Sequence, residues 1–225
     1  MTSTSPSVHV FDDPEGLARR AADLVAEAVR AGARTLVLAG GSTPRRAYQL
    51  LATEPLPWGR VTVLFGDERC VPPDHPESNY RMAKRELLDH VHPGSLHRIP
   101  GELGAEAAAA RYDTIVRSLT PLDLVLLGMG PDGHTASLFP GHAALHAAGY
   151  AVAVHDAPKP PPERVSLTLG ALREARQVVV LVAGEDKAAA LARARRGEVP
   201  AGMIPGARYL VDRAAVGRAV GRPGT

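Results

Sequence analysis

Residues 123–135 read DLVLLGMGPDGHT, an uninterrupted apolar run followed at once by a glycine-rich polar loop. A run without in/out alternation is typical of a strand that is buried on both faces, as in a parallel sheet covered by helices. The same arrangement recurs three times. The other apolar runs are residues 35–39, 61–65 and 177–182, and the polar segments after them are residues 40–44, 66–69 and 184–187. The pattern predicts a parallel sheet whose carboxyl ends carry the polar loops, on one edge.

Ala-rich helical stretches separate these strands. The first helix is predicted to begin at Pro14 and to stop at Gly32, because proline favours the first helical position and glycine the end of a helix. Further strands are predicted at residues 8–11, 150–154, 164–167 and 209–211, and further helices from Pro44, within residues 78–90 and within residues 104–119. This alternation indicates an α/β fold with a doubly wound, mainly parallel, Rossmann-like sheet and helices on both faces.

Composition narrows the class of protein. The 225 residues are 45% hydrophobic and 22% charged, which is typical of a globular protein. We predict one domain over residues 1–225 with a disordered tail over residues 1–7. The net charge of +2 does not favour binding to nucleic acid or a membrane. No secretory signal and no apolar run of about 20 residues are found, so a cytoplasmic protein is expected. No obligatory protein partner is evident from the sequence.

The segment Gly40-Gly41-Ser42-Thr43-Pro44 has the composition of an anion-binding turn. Glycines allow the backbone to approach a ligand closely, and the hydroxyls of Ser42 and Thr43 are predicted to cap a helix that begins at Pro44. Free N–H groups at such a helix start favour a phosphate. The alternative is a simple capped turn between a strand and a helix. No Gly-Lys-Ser/Thr follows, which argues against a nucleoside triphosphate.

His134 is the candidate base of the chain. It follows a buried strand, lies near Asp132, and can act near neutral pH, where free imidazole titrates at about 6.5. The alternative for a lone histidine is a capping or core role. Gly128, Gly130 and Gly133 match a dinucleotide fingerprint, but a proline inside the turn and the histidine directly after it argue against a nicotinamide cofactor.

The charged segment Asp67-Glu68-Arg69 follows another buried strand. It is predicted to point into the cleft, where Arg69 can bind an oxyanion or a carboxylate in a fork geometry. The alternative is an exposed charge run.

Two other groups of reactive side chains are expected to be structural. Cys70 has no histidine partner beside it in sequence, so a buried structural thiol is favoured over a nucleophile, and a single cysteine fits a reducing compartment. His90, His92 and His97 have only loose metal-ligand spacing and are expected at the surface. The spacing of these residues therefore does not favour a metal site.

Four blocks resemble the 6-phosphogluconolactonase family, in the wider glucosamine-6-phosphate isomerase/deaminase-like group. They are residues 38–44, residues 58–72 with the pairs at 74–75 and 78–79, residues 127–142 and residues 160–168. They occur in family order over residues 8–215. The resemblance implies an isomerase/deaminase-like fold and cytoplasmic hydrolysis of 6-phospho-D-glucono-1,5-lactone in the pentose phosphate pathway, without a metal or an organic cofactor.

The resemblance also implies roles for individual residues. Catalytic roles fall on His134 as general base, and on Asp132, Arg69 and Asp67. Binding of substrate or its phosphate falls on Gly40, Gly41, Ser42, Thr43, Gly130, Arg164 and Lys187.

Two alternatives remain open at this point. The first is a sugar-phosphate isomerase or deaminase on the same scaffold, but those relatives continue the histidine loop into Asn-Glu-Pro, whereas this chain reads Ser137-Leu138-Phe139-Pro140. The second is a non-catalytic sugar-phosphate-binding module of a transcription regulator, for which no helix-turn-helix is expected before residue 8.

Overall fold

The structure is a computed structural model that describes residues 7–217, and its centre is a seven-stranded sheet in which all neighbouring strands are parallel. From one edge to the other the strands are β1 (Ser7–Phe11), β10 (Arg208–Asp212), β9 (Val178–Val182), β6 (Leu124–Gly128), β2 (Thr35–Leu38), β3 (Thr62–Phe65) and β5 (Ser95–Leu96). Every residue of β2 and of β9 is buried, as expected for runs without alternation. The predicted parallel α/β fold is confirmed.

Helices alternate with these strands. They are α1 (Pro14–Arg30), α2 (Ser42–Leu51), α3 (Asn79–Ala83) with a π-helical continuation (Lys84–Leu88), α4 (Ala105–Leu119), α5 (Leu169–Glu174), α6 (Ala188–Arg195) and α7 (Arg213–Val216). The first helix begins as predicted, because the Asp13 side chain accepts a hydrogen bond from the Gly16 N–H at 2.8 Å. Between residues 7 and 217, no helix is both long enough and apolar enough to cross a membrane.

The strand order changes direction between β2 and β6. From β2 the chain moves outward through β3 to β5, and from β6 it moves the opposite way through β9 to β10. Loops that leave such a switch point diverge, and the crevice between them is where open α/β sheets bind ligands. The loops after β2 and β6 carry the predicted anion-binding turn and His134.

A second, three-stranded antiparallel sheet was not anticipated. It consists of β4 (Asp67–Arg69), β8 (Arg164–Leu167) and β7 (Ala151–Val154), in that order. The last two strands were predicted, but the three polar residues of β4 have the composition of a loop. The register of β4 and β8 places Arg69 opposite Arg164, so this sheet brings two arginines together.

Most predicted strand boundaries agree with the structure to within one residue, and two differences concern the site and the N-terminus. Helix α2 begins at Ser42 rather than Pro44, and its N-cap is Gly41 at φ +104°, with no side-chain cap. The predicted hydroxyl cap is therefore wrong, because the turn uses the positive φ that glycine tolerates. Ser7 already belongs to β1, whereas residues 1–6 of the predicted tail lie outside the described residues. The single domain stays a prediction.

Candidate active site

A cleft of about 210 Å³ opens at the carboxyl ends of the central strands, beside the switch point. Ten of the predicted site residues line it, namely Gly40, Gly41, Ser42, Thr43, Asp67, Arg69, Gly130, His134, Arg164 and Lys187. The remaining one, Asp132, does not line the cleft but contacts His134. The parallel sheet thus collects loops that are far apart in sequence.

The His134 ring is held by a carboxylate on one side and an aromatic ring on another. Its Nδ1 lies 2.6 Å from Asp132 Oδ1, and its centroid lies 4.6 Å from that of Phe139. An ionised carboxylate can only accept a hydrogen bond, so Nδ1 carries the proton and Nε2 keeps the lone pair. The side chain is 18% exposed, which leaves the ring accessible from the cleft.

Burial and neighbouring charges set the protonation of this pair. Burial lowers the pKa of His134, and the Lys159 cation adds to this effect, although Asp132 and Asp67 act in the opposite direction. Burial also opposes ionisation of Asp132, but its hydrogen bond with His134 and the positive charge of Lys159 outweigh burial and lower its pKa. The arrangement is a neutral imidazole beside an ionised carboxylate, which suits a general base.

The loop after β6 folds tightly around His134. Gly130 donates its N–H to the His134 carbonyl and accepts from the Gly133 N–H, both at 2.9 Å. A Cβ atom at position 130 would lie 2.1 Å from the His134 ring and 2.6 Å from Asp132 Oδ1. A side chain at position 130 would collide with the His134 ring, so this position requires a glycine.

The turn after β2 has the geometry of an anion site. Gly41 directs the chain into α2, so Ser42 and Thr43 occupy its first turn, where backbone N–H groups have no acceptor within the helix. A Cβ atom on Gly40 would lie 1.9 Å from Asn79 Oδ1, so the backbone passes close to that side chain. Lys187 reaches the same cleft while its ammonium contacts Asp186 at 2.8 Å. This end of the cleft therefore combines helix N–H groups with a cation.

A chain of buried polar groups forms the floor of the site. Ser137 Oγ donates to Asp67 Oδ2 at 2.7 Å and accepts from Arg164 Nη1 at 3.5 Å. The other Asp67 oxygen accepts from Asn79 Nδ2 at 3.1 Å. Asp67 is thus fixed by two neutral donors rather than by a direct ion pair.

Arg69 keeps part of its guanidinium available. Its Nη1 donates to the Glu77 carbonyl, while its Nε is buried and has no partner within residues 7–217. A buried donor without an acceptor costs about 1–3 kcal/mol. Because Nε is buried, a ligand oxygen in the cleft can reach Arg69 only through its other guanidinium nitrogens, of which Nη2 has no hydrogen-bond partner among the described residues.

Glu68 does not point into the cleft, and this part of the prediction is wrong. It is buried and accepts from the N–H groups of Asn79 and Tyr80 at the start of α3, from its neighbour Arg69 and from the Ser78 hydroxyl. Burial raises its pKa, against the effect of these hydrogen bonds. Alternation along β4 explains the result, since Asp67 and Arg69 share one face and Glu68 has the other.

Arg164 lines the cleft but uses most of its donors elsewhere. Its Nε donates to the Pro161 carbonyl at 2.9 Å, and its Nη2 donates to the carbonyls of Lys159 and Pro160 at 2.8 and 3.1 Å. Burial and the nearby Arg69 lower its pKa. Its main contacts hold the loop before β8, so a phosphate role would depend on Nη1.

Three residues of the site were not assigned from the sequence, namely Asn79, Ser137 and Lys159. The first two lie in blocks that carry the family resemblance, which was a usable signal. Lys159 lies 3.7 Å from Asp132 Oδ1 through its Nζ atom. Its only signal was a cation in a segment rich in proline.

The other reactive groups noted in the sequence do not line the cleft. No group of three or more His, Cys, Asp or Glu within the described range is arranged to hold a metal ion. His90 and His92 are exposed, but His97, also expected at the surface, is half-buried, and so is Cys70, which was expected to be buried. Burial, together with Glu163 and Glu68, raises the pKa of the Cys70 thiol to about 11. A thiolate nucleophile at neutral pH is therefore disfavoured.

Known proteins resemble the chain over most of its length. It is 40% identical to a 6-phosphogluconolactonase of Mycobacterium leprae, with 90% of this chain and 91% of the relative covered. It is 39% identical to a 6-phosphogluconolactonase of Streptomyces coelicolor, with 95% and 94% covered. The crystal structure of 6-phosphogluconolactonase from Thermotoga maritima matches with a TM-score of 0.85 at 28% identity, over 92% of this chain and 100% of that one.

The family model described as glucosamine-6-phosphate isomerases/6-phosphogluconolactonase matches residues 12–215. That range contains β2, β6 and the loops that form the cleft, so the match includes the site as well as the sheet. The chain belongs to the glucosamine-6-phosphate isomerase/6-phosphogluconolactonase family.

Proposed function

We propose that this protein hydrolyses 6-phospho-D-glucono-1,5-lactone to 6-phospho-D-gluconate, as a cytoplasmic enzyme of the oxidative pentose phosphate pathway. The names of the two bacterial relatives reported above support this substrate. The observation that carries the proposal is a neutral His134, oriented by Asp132, in the same cleft as the free N–H groups at the start of α2. One end of the cleft can activate water and the other can bind a phosphate.

His134 is the general base of the proposed reaction. Its Nε2 removes a proton from water, the water oxygen forms a bond to the lactone carbonyl carbon, and the carbonyl oxygen becomes an oxyanion. When the tetrahedral intermediate collapses, the bond from that carbon to the ring oxygen breaks, and the imidazolium returns the proton to the leaving oxygen. General acid–base catalysis of this kind contributes about 10²–10⁴-fold.

Arg69 supports the oxyanion in this proposal. The bond from its Nη1 to the Glu77 carbonyl holds the guanidinium in place, and donors fixed before the reaction stabilise developing charge without reorganisation. Of the loop at residues 128–133, Gly128, Met129 and Gly130 line the same cleft, and since the Gly130 N–H already bonds to the His134 carbonyl, any backbone contribution falls to the N–H groups before it.

The remote phosphate provides orientation. The N–H groups of Ser42 and Thr43 and the ammonium of Lys187 form the cationic end of the cleft. Binding energy at that end holds the lactone carbonyl near His134, and positioning of this kind is worth several kcal/mol of the barrier.

The site supports a glucosamine-6-phosphate isomerase, the other activity in the family description, less well than a lactonase. Residues 135–140 of the histidine loop contain no carboxylate, and Ser137 is buried against Asp67. A loop carboxylate that assists opening of a sugar ring is therefore missing from this segment.

Freshly generated 6-phosphogluconolactone, coupled to 6-phosphogluconate dehydrogenase, tests the proposal. We expect turnover well above spontaneous hydrolysis and no ammonia release from glucosamine 6-phosphate. Ammonia release would identify a deaminase instead. Thermal stabilisation by 6-phosphogluconate without any turnover would identify a binding module.

A further inference from the structure

The loop between β7 and β8 is fastened over the catalytic pair by one arginine. Arg164 donates to three successive carbonyl groups of this loop, those of Lys159, Pro160 and Pro161. Arg164 is buried, and its guanidinium lies 5.5 Å from the Phe139 ring, the same ring that packs against His134. The loop backbone is therefore fixed relative to the catalytic histidine.

The side chain that this loop presents is Lys159. Its Nζ lies 3.7 Å from Asp132 Oδ1, the same oxygen that lies 2.6 Å from His134 Nδ1. Asp132 therefore serves two partners, a neutral imidazole and an ammonium. Lys159 is not among the residues that line the cleft, and its shortest contact with the catalytic pair is the one to Asp132.

The contact between Lys159 and Asp132 affects the protonation of His134. A carboxylate alone beside an imidazole favours the protonated ring, which cannot accept a proton from water. The charged groups that act on His134 are Asp132 from its own loop, Asp67 from β4 and Lys159 from the β7–β8 loop. Lys159 is the cation of this set, and it balances the charge of Asp132 without removing its hydrogen bond.

We propose that Lys159 is a positioning residue that shares Asp132 with His134 and so keeps the imidazole uncharged toward the acid side of neutrality. The hydrogen bonds from Arg164 to the loop carbonyls hold Lys159 close to Asp132. The proposal rests on the hydrolytic role of His134 proposed above, but its physical content is the coupling between Lys159 and the protonation of His134.

The pH dependence of kcat/KM in the lactone assay tests the role in catalysis. Lys159→Met removes the charge but keeps the length of the side chain, Lys159→Arg keeps the charge, and Lys84→Met is the matched control because Lys84 pairs with Asp89 away from the cleft. With background hydrolysis subtracted, we expect Lys159→Met to lose activity several-fold near about pH 6 and little near about pH 8. Lys159→Arg and Lys84→Met should keep the parent profile. An equal loss at all pH values, or an unchanged acid limb, would overturn the proposal.

A titration of the His134 imidazole by NMR separates this proposal from the proposed function. The signal is assigned by its absence in His134→Gln, and it is followed with pH in the parent and in each Lys159 variant. We expect His134 to bind its proton at higher pH in Lys159→Met than in the parent and Lys159→Arg. This result would support the coupling even if the chain hydrolysed no lactone, and identical titrations in all variants would refute it even in an active enzyme. Lys159→Gln provides the same test if Lys159→Met does not fold.

Discussion

The chemistry of the site depends on which nitrogen of His134 carries the proton. Asp132 fixes that choice through a contact of 2.6 Å to Nδ1. The unprotonated Nε2 is the atom that a general base needs, and a ring free to exchange tautomers would present it only part of the time.

Asp132→Asn tests this assignment. The amide can donate to Nδ1, which would place the proton on Nε2 and block the base. We expect kcat to fall by about 10²–10⁴-fold with little change in KM, as found when the carboxylate of a catalytic triad is replaced in the same way. Steady-state kinetics of the lactone reaction measure this, and a near-normal kcat would show that Asp132 does not orient the base.

At the scale of secondary-structure elements, two buried tyrosines position the loops of the cleft. The Tyr48 hydroxyl in α2 accepts from the Ala39 N–H at 2.8 Å and donates to the Ala39 carbonyl at 2.9 Å. The Tyr112 hydroxyl in α4 makes the same two contacts with Phe65, both at 2.8 Å. Each pair of hydrogen bonds lies at the carboxyl end of a strand, directly before the loop that enters the site.

Tyr48→Phe and Tyr112→Phe are each expected to lower the free energy of unfolding by about 1–3 kcal/mol, because each leaves a backbone N–H and a carbonyl buried without partners. Urea denaturation measures the effect. Tyr150→Phe provides the control, since the hydroxyl of this half-buried side chain makes its one hydrogen bond within residues 7–217 to the Glu174 carboxylate at the surface. Unchanged stability of both buried variants would mean that the strand ends relax and satisfy these groups in another way.

The periodicity of each element explains which strands and site loops could be predicted from the sequence and which could not. The strands of the main sheet were predictable because runs such as residues 178–182 are apolar without alternation, and the site loops were predictable because they follow those runs. Strand β4 was not predictable, since its three residues are all polar and show no hydrophobic periodicity. Without that strand, the alternation that turns Glu68 away from the cleft could not be predicted either. Lys159 is 27 residues from Asp132 in sequence (159 − 132 = 27), and only the antiparallel sheet brings them together.

At the scale of the whole molecule, His155 joins parts of the chain that are distant in sequence. Its Nδ1 lies 2.6 Å from Glu163 Oε2, before β8, and its Nε2 lies 2.9 Å from Glu106 Oε1, in α4. Hydrogen bonds to Glu106 and Glu163 raise the pKa of His155. A raised histidine pKa means that the folded state holds its proton more tightly than the unfolded chain does.

The stability contributed by His155 is therefore fully present below its unfolded pKa of about 6.5, and it is lost as pH rises through the folded pKa. We expect the difference in melting temperature between the parent and His155→Gln to be largest near about pH 6 and to shrink toward about pH 9. The opposite contribution of His134 is present in both proteins and cancels. A difference that stays constant with pH would contradict the assignment.

The central claim is that one imidazole at the switch point of the sheet activates water for attack on a phosphorylated lactone. The most direct test is the kcat of His134→Ala with 6-phosphogluconolactone, measured beside His92→Ala, which changes an exposed histidine that does not line the cleft. We predict a fall in kcat of about 10²–10⁴-fold for His134→Ala, with KM nearly unchanged, and parent activity for His92→Ala. A His134→Ala enzyme that keeps a near-parent kcat would contradict the claim.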